Sequence, residues 1–233
     1  MHDRPYLAIV GAMLYLSTMS RPDIAYYLSV LCKFMSDPSP NCYSAAINVL
    51  LYVYKTRHRC ISYSPQTFTP NALAAHRHDI DRNMGFHAYS DSSWGVPNPI
   101  FGYCLWLGGG PVSWCAKTAK SADSSCEAEY TACSKCSRDI AFVRLVLSDL
   151  GYPLHGRLVI AVDSTAAIRV AKNRGVTARN KHFDRELHFI RNEVDHQRTV
   201  LCHVHTRDQR ADLFTKPLDK TTFYSHLNSF IRE

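Results

Sequence analysis

Gly85-Phe86-His87-Ala88-Tyr89-Ser90-Asp91-Ser92-Ser93-Trp94-Gly95 is the stretch on which the fold turns. Phe86, Ala88 and Ser90 alternate with His87, Tyr89 and Asp91, the period of two that marks a strand. Polar turn residues follow. A carboxylate therefore sits at or near the end of a strand expected to be central, where a charge is costly unless a cation pairs with it. Three later acids, Glu129, Asp163 and Asp212, fall at comparable junctions between elements. The expectation is that these four meet around metal ions.

Downstream of this stretch the pattern continues as sheet and helix. Phe101 to Leu107 and Val112 to Lys117 read as two strands joined by a turn at Gly108-Gly109-Gly110-Pro111. These glycines link strand to strand and lead into no helix, so a phosphate loop is set aside. Ser124 or Ser125 caps a long helix whose stripe is Glu129, Cys133, Cys136, Ile140, Val143, Arg144 and Leu147, ended by Gly151. Glu129 shares the apolar face, whereas Glu127 lies on another face, and a carboxylate on a buried face needs a partner. Leu158 to Val162 is an unbroken apolar strand of the kind buried on both faces. It ends at Asp163, which taken alone reads first as a helix N-cap. Val200 to His205 is a fifth strand, and Asp212 lies in the first turn of a short helix stopped at Lys216-Pro217. A last amphipathic helix spans Thr221 to Ile231.

The order β-β-β-α-β-α-β-α implies an α/β fold, a mixed five-stranded sheet with packed helices. If the fourth strand runs parallel beside the first, Asp91 and Asp163 are neighbours, and Glu129 and Asp212 can reach them. Four such carboxylates would raise one another's pKa values unless cations intervene. Oxygen-only donors favour Mg2+, two ions, with Mn2+ as a substitute. Two ions about 3.5–4 Å apart clamp the attacking and leaving oxygens of an in-line phosphoryl displacement. Lys172, Arg174, Arg179, Lys181 and Arg185, with His182, form the densest basic run and suit phosphate contacts as well as they suit a solvated surface. The residues alone thus point to a metal-dependent nuclease.

The chain has 233 residues, 46% of them hydrophobic, enough for one or two small domains. A formal charge of +7 favours a polyanionic partner. Nine cysteines without a signal peptide read as reduced thiols in an intracellular compartment rather than a disulfide framework. The Cys133/Cys136 pair falls inside a helix and reads as core packing. Leu7 to Leu16 is too short and broken to span a membrane. Ahead of the sheet, residues 1–58 read as a small helical segment: a buried helix over 5–20, a second from Pro22 to Met35, and a third striped by Tyr43, Ala46, Ile47, Leu50, Leu51 and Tyr54. That segment offers no catalytic motif and reads as packing or spacer. Residues 59–84 read as a linker and 85–233 as the sheet domain.

Six motifs in order, Tyr89-Ser90-Asp91-Ser92-Ser93-Trp94, Gly108-Gly109-Gly110-Pro111-Val112-Ser113-Trp114, Ser124-Ser125-Cys126-Glu127-Ala128-Glu129-Tyr130, Asn180-Lys181-His182-Phe183-Asp184, His188-Phe189-Ile190-Arg191 and Ala211-Asp212-Leu213-Phe214-Thr215-Lys216-Pro217-Leu218, closely resemble the ribonuclease H domain of copia-type LTR retrotransposon polyproteins. Tyr6 to Gly11 and Met19 to Ala25 resemble the segment those polyproteins carry after the reverse-transcriptase core. The resemblance implies a ribonuclease H-like fold and cleavage of the RNA strand of RNA–DNA hybrids. It also implies a carboxylate tetrad holding two Mg2+, carried over onto Asp91, Glu129, Asp163 and Asp212. RNA would be selected through its 2′-hydroxyl, and His203 or His205 fits a proton shuttle or an aid to product release as well as it fits a strand residue with no role. The implied partners are the hybrid and the polymerase part of the parent polyprotein, in a cytoplasmic particle or the nucleus. Two departures stand out. Gly95 to Ile100 replaces a longer, basic, Ser/Thr-rich stretch of the family, and the Tyr/Phe-X-Asp-Asp polymerase signature is absent, so no polymerase activity is expected from this chain. Competing readings are a catalytically silent or domesticated remnant and a DDE-type integrase. The second is disfavoured because Glu129 lies between the first two aspartates.

Overall fold

The structure, a computed structural model, describes all residues except 1–4, 65–68, 95–98, 120, 121, 123, 173–183 and 233, and the side chains of 184–188. Residues 63–216 form one compact unit, and residues 1–62 with 217–233 form another. In the larger unit, strands β1 (His87–Ser93), β2 (Ile100–Leu107), β3 (Gly110–Thr118), β4 (Leu158–Val162) and β5 (Thr199–His203) make one sheet of order β3-β2-β1-β4-β5. β1, β2 and β3 pair antiparallel, while β4 lies parallel to both β1 and β5. The expected mixed sheet with a parallel β1–β4 pair is what the chain builds. Gly108 and Gly109 have φ of 56° and 76°, the left-handed backbone that a tight hairpin turn needs and that side chains disfavour.

Positions 87–91 of β1 are all buried, as a central strand covered on both faces requires. On one side lies the main core: Phe86, Ala88, Leu105, Leu158, Ile160, Val162 and Leu201 of the sheet pack with Tyr130, Cys133, Cys136 and Ile140. The last four belong to helix α5 (Ser125–Asp149), so both cysteines pack in the core, as their helical spacing suggests. Its cap is Ser124, whose Oγ accepts the Glu127 N–H at 3.2 Å. Ile168 and Ala171, in a helix over Thr165–Lys172, and Ile190, in another over Asp184–Asp195, complete this core. On the other side, His87 stacks on its cross-strand neighbour Trp106, and the Arg210 guanidinium lies 5.4 Å from the ring centres of both Tyr89 and Trp106.

The segment expected as a linker contains structure. Residues Asn71–His76 form a 3-10 helix that runs into an α-helix over Arg77–Arg82, and Leu73 and Ile80 are buried. Asn83 Oδ1 accepts the His155 N–H at 2.7 Å, fixing the segment beside the start of β4. Two apolar anchors in a short polar run are below what periodicity reveals. Likewise residues 217–233, expected with the sheet, group with the helical unit.

That helical unit comprises helices over Tyr6–Met19, Ala25–Leu31, Pro40–Lys55 and Lys220–Phe230, with 3-10 turns at Pro22–Ile24 and Cys32–Phe34. Tyr6, Val10, Met13, Ile24, Leu28, Leu31 and Ala46 form its core. The first helix is not buried all round as its composition suggests. Tyr6, Val10, Met13 and Ser17 are buried, while Leu7, Tyr15 and Met19 are more than half exposed. The few helices of this unit cover one stripe and leave the opposite face apolar but bare.

Candidate active site

The parallel register pairs His87 with Val159 and Tyr89 with Ala161, and continued two residues further it sets Asp91 level with Asp163. Glu129 comes from the second turn of α5 and accepts the Ser92 N–H on Oε1 at 3.4 Å. One carboxylate oxygen from each of Asp91, Glu129 and Asp163 lies within 4.8 Å of the others. Sequence spacing thus brought three of the four acids to one point. Asp212 approaches differently. It lies in a 3-10 segment, Arg210–Phe214, packed on β1 and β2, and its Oδ1 is 2.8 Å from Lys216 Nζ. The same ammonium is 3.8 Å from Asp91 Oδ2, so Asp212 adjoins the three-acid group through a shared cation.

The close approach of this segment depends on Gly102, which faces Asp91 across β1 and β2. A Cβ at position 102 would lie 2.5 Å from Phe214 Cβ and 2.8 Å from Thr215 Cγ2, closer than packed carbons allow. Thr215 Oγ1 donates a hydrogen bond to Asp91 Oδ2. Gln209 Nε2 donates to the Ser90 carbonyl at 3.0 Å, pinning the segment's other end to β1. Thr206 Oγ1 donates to Asp163 Oδ2 at 3.2 Å.

The electrostatics are those of a site short of positive charge. Burial, then the neighbouring Asp212, pushes Asp91 up to about 7, with Lys216 opposing. Burial, then Asp91 and Asp163, pushes Glu129 up to about 9. Burial also raises Asp212. Glu129 Oε2 is closed to water and has no hydrogen-bond partner among the described residues. A buried carboxylate oxygen in that state fits a hard divalent cation, and the all-oxygen donor set fits Mg2+ or Mn2+ rather than a softer metal.

The other sequence-derived residues are placed unevenly. His203 ends β5 and is exposed; His205 is exposed, and its Nδ1 accepts the Arg207 N–H at 3.2 Å. Lys172 is exposed at the end of its helix. Arg174, Arg179 and Lys181, and the Arg185 side chain, lie outside the described residues, as does most of the short Gly95–Ile100 stretch. Glu127 lies in the first turn of α5, two residues before Glu129 and so about 200° away around the helix. Sequence reasoning missed Gln209, Thr215 and Lys216. Lys216 stands four residues after Asp212, a spacing that puts the two side chains on one face, but it reads from sequence as a helix stop before Pro217.

A mixed sheet of order 3-2-1-4-5, with acids at the adjoining ends of its parallel strands and on the covering helix, defines a ribonuclease H-like domain. No family model matches the chain. Individual proteins do. The Retrovirus-related Pol polyprotein from transposon RE1 of Arabidopsis thaliana is 33% identical over 223 residues, which is 94% of this chain and 14% of that protein. That from transposon TNT 1-94 of Nicotiana tabacum is 29% identical over 226 residues, 94% of this chain and 16% of that protein. The Secreted RxLR effector protein 161 of Plasmopara viticola is 34% identical over 148 residues, 61% of this chain and 94% of that protein. Among solved structures, RNase H1 of Halobacterium salinarum superposes with a TM-score of 0.42 at 21% identity, over 56% of this chain and 93% of that one. Strand order and direction, not that superposition, define the fold. Its homologues over nearly its whole length are retrovirus-related Pol polyproteins of copia-type transposons, of which it spans about one seventh.

Proposed function

We propose that the sheet unit is a metal-dependent endonuclease that hydrolyses the RNA strand of RNA–DNA hybrids as part of a copia-type Pol polyprotein. The observation that carries this reading is the convergence of Asp91, Glu129 and Asp163 from three separate elements onto one point, with Asp212 beside them. Asp91, Glu129, Asp163 and Asp212 would hold the ions. Two bound Mg2+ ions, or Mn2+ in their place, supply charge stabilisation of the attacking and leaving oxygens in phosphodiester hydrolysis.

The chain's own residues do the rest. Ser92 N–H and Thr215 Oγ1 fix the carboxylates of Glu129 and Asp91, and Thr206 fixes that of Asp163. The proximity of three carboxylates makes them poor anions without a cation and good ligands with one. Lys172, with Arg174, Arg179, Lys181 and Arg185, contacts phosphates and orients the hybrid without reading its sequence. Contacts to the 2′-hydroxyl select RNA. His203 or His205, both exposed, serves proton transfer at the leaving oxygen or product release. The polymerase part of the polyprotein supplies further binding, and the setting is an intracellular particle or the nucleus. No helix among the described residues is long and apolar enough to cross a membrane.

The alternative reading is a catalytically silent remnant that binds nucleic acid. Cleavage of a labelled RNA–DNA hybrid with Mg2+ or Mn2+, beside single-stranded RNA and duplex DNA, separates the two. Metal-dependent cutting of the RNA strand in the hybrid alone is expected. A folded sample that binds hybrid and cuts nothing with either metal would sink the nuclease reading and leave the second.

A further inference from the structure

The turn that brings Asp212 to the site also brings a cation. Lys216 Nζ is 2.8 Å from Asp212 Oδ1 and 3.8 Å from Asp91 Oδ2. The backbone of the turn fixes this reach, because Thr215 N–H and Lys216 N–H both donate to the Asp212 carbonyl at 3.2 Å. The exposures are unequal. The Lys216 side chain is 35% exposed, while those of Asp91 and Asp212 are 2% and 6% exposed. The ammonium therefore enters from the solvent side, on a flexible four-carbon stem, and has somewhere to withdraw. The two carboxylates have no such freedom. Asp91 is held by Thr215 and by its strand, and Asp212 by a segment packed against Gly102.

We propose that Lys216 is a resident counter-cation for the Asp91–Asp212 side of the acidic site, and that a divalent ion binding there must displace its ammonium. This rests on the metal-dependent reading given above. The physical reason is exclusion. A monovalent ammonium and a divalent ion cannot both sit between the same two carboxylates, and the ion gains affinity only after the ammonium's attraction is overcome. Lys216 thus keeps the metal-free protein from carrying an uncompensated pair of buried acids, and weakens the hold on that ion so that it exchanges readily. A fixed structural ion pair would instead persist with metal bound.

Two measurements test this, neither requiring cleavage. In wild-type protein labelled with 15N-lysine, one Nζ signal should be distinct without metal and move to the position of solvent-exposed lysines on saturation with Mg2+. A signal that stays distinct at saturation overturns the proposal. In calorimetric titration with Mn2+ alone, Lys216→Met should bind about tenfold more tightly than wild type, while Lys216→Arg, which keeps the charge, should stay close to wild type. Unchanged or weaker binding by a folded Lys216→Met chain also overturns it. Asp91→Asn distinguishes the levels of failure. If it weakens Mn2+ binding while Lys216→Met fails to tighten it, only the role of Lys216 falls. If wild type binds no Mn2+ at all, the metal-dependent reading falls too.

Discussion

Asp23 in the helical unit and Asp91 in the sheet unit are both shut off from water, at 0% and 2% exposure. Asp23 is met by three donors. Arg21 forks onto it with Nε at 2.9 Å and Nη2 at 2.7 Å, and the Tyr52 hydroxyl donates to Oδ2 at 2.7 Å. Arg21 Nη2 also reaches Thr56 Oγ1 at 2.7 Å, so the pair is closed on both sides. Asp91 has one hydroxyl and a lysine that it shares, set against two other carboxylates in ligand range. The contrast teaches what burial of a charge means. Where both oxygens find donors, the carboxylate ties elements together; where carboxylates face one another, their mutual repulsion opposes folding.

The same substitution should therefore act in opposite ways at the two positions. Asp91→Asn should abolish hybrid cleavage, the largest effect expected, while the metal-free melting temperature stays level or rises because one charge leaves a crowded group. Full cleavage by that variant would refute the site assignment. Asp23→Asn should cost about 3 kcal/mol in urea unfolding, since Arg21 is left buried without its partner; a loss below about 1 kcal/mol, the scale of exposed pairs, would show the network to be dispensable. Gly102→Ala should cost about 1–3 kcal/mol by pushing Phe214 and Thr215 off the strand, and should weaken Mn2+ binding with it. An unaltered Mn2+ isotherm would separate the segment's packing from the site.

The comparison also has a pH signature. Unfolded Asp and Glu lose their protons near pH 4, whereas folded Asp91 and Glu129 keep theirs until about 7 and about 9. Between pH 6.5 and 9 the folded state binds more protons, so metal-free stability falls as pH rises. His87, which burial lowers to about 4, has the opposite sign but acts below pH 6.5, outside that window. Melting curves without metal should fall in temperature across it, and saturating Mg2+ should flatten the trend. A flat metal-free profile would mean that the carboxylates are already compensated. Smallest of all, Glu127→Gln should leave cleavage within about twofold of wild type, because two helical steps set it on a different face from Glu129.

The parts of this structure written locally were legible. Alternation at Phe86–Asp91 and the apolar run at Leu158–Val162 named the two central strands, and once these pair in parallel Asp91 falls beside Asp163. The stripe shared with Cys133 and Cys136 separated Glu129 from Glu127. What escaped is what only tertiary contact creates. Lys216 belongs to Asp91 through a turn whose geometry the sequence does not spell out, and Gly102 matters only because another segment lies on it. Leu73 and Ile80 are too sparse to reveal a helical segment, and Leu7 and Leu14 look like core residues until the number of covering helices is known.

The short segment from Gln209 to Lys216 gathers several of these roles: an anchor on the Ser90 carbonyl, the fourth acid, the hydroxyl that holds Asp91 and the cation that balances both aspartates. Eight consecutive codons thus travel as one heritable cassette. A frameshift or stop just upstream of Gln209 would spare all five strand-coding stretches yet erase acid, hydroxyl and ammonium together. Decay of such a gene would accordingly strip Asp91 of its hydroxyl, its shared cation and its neighbouring acid in a single event, where point substitutions would remove them one at a time.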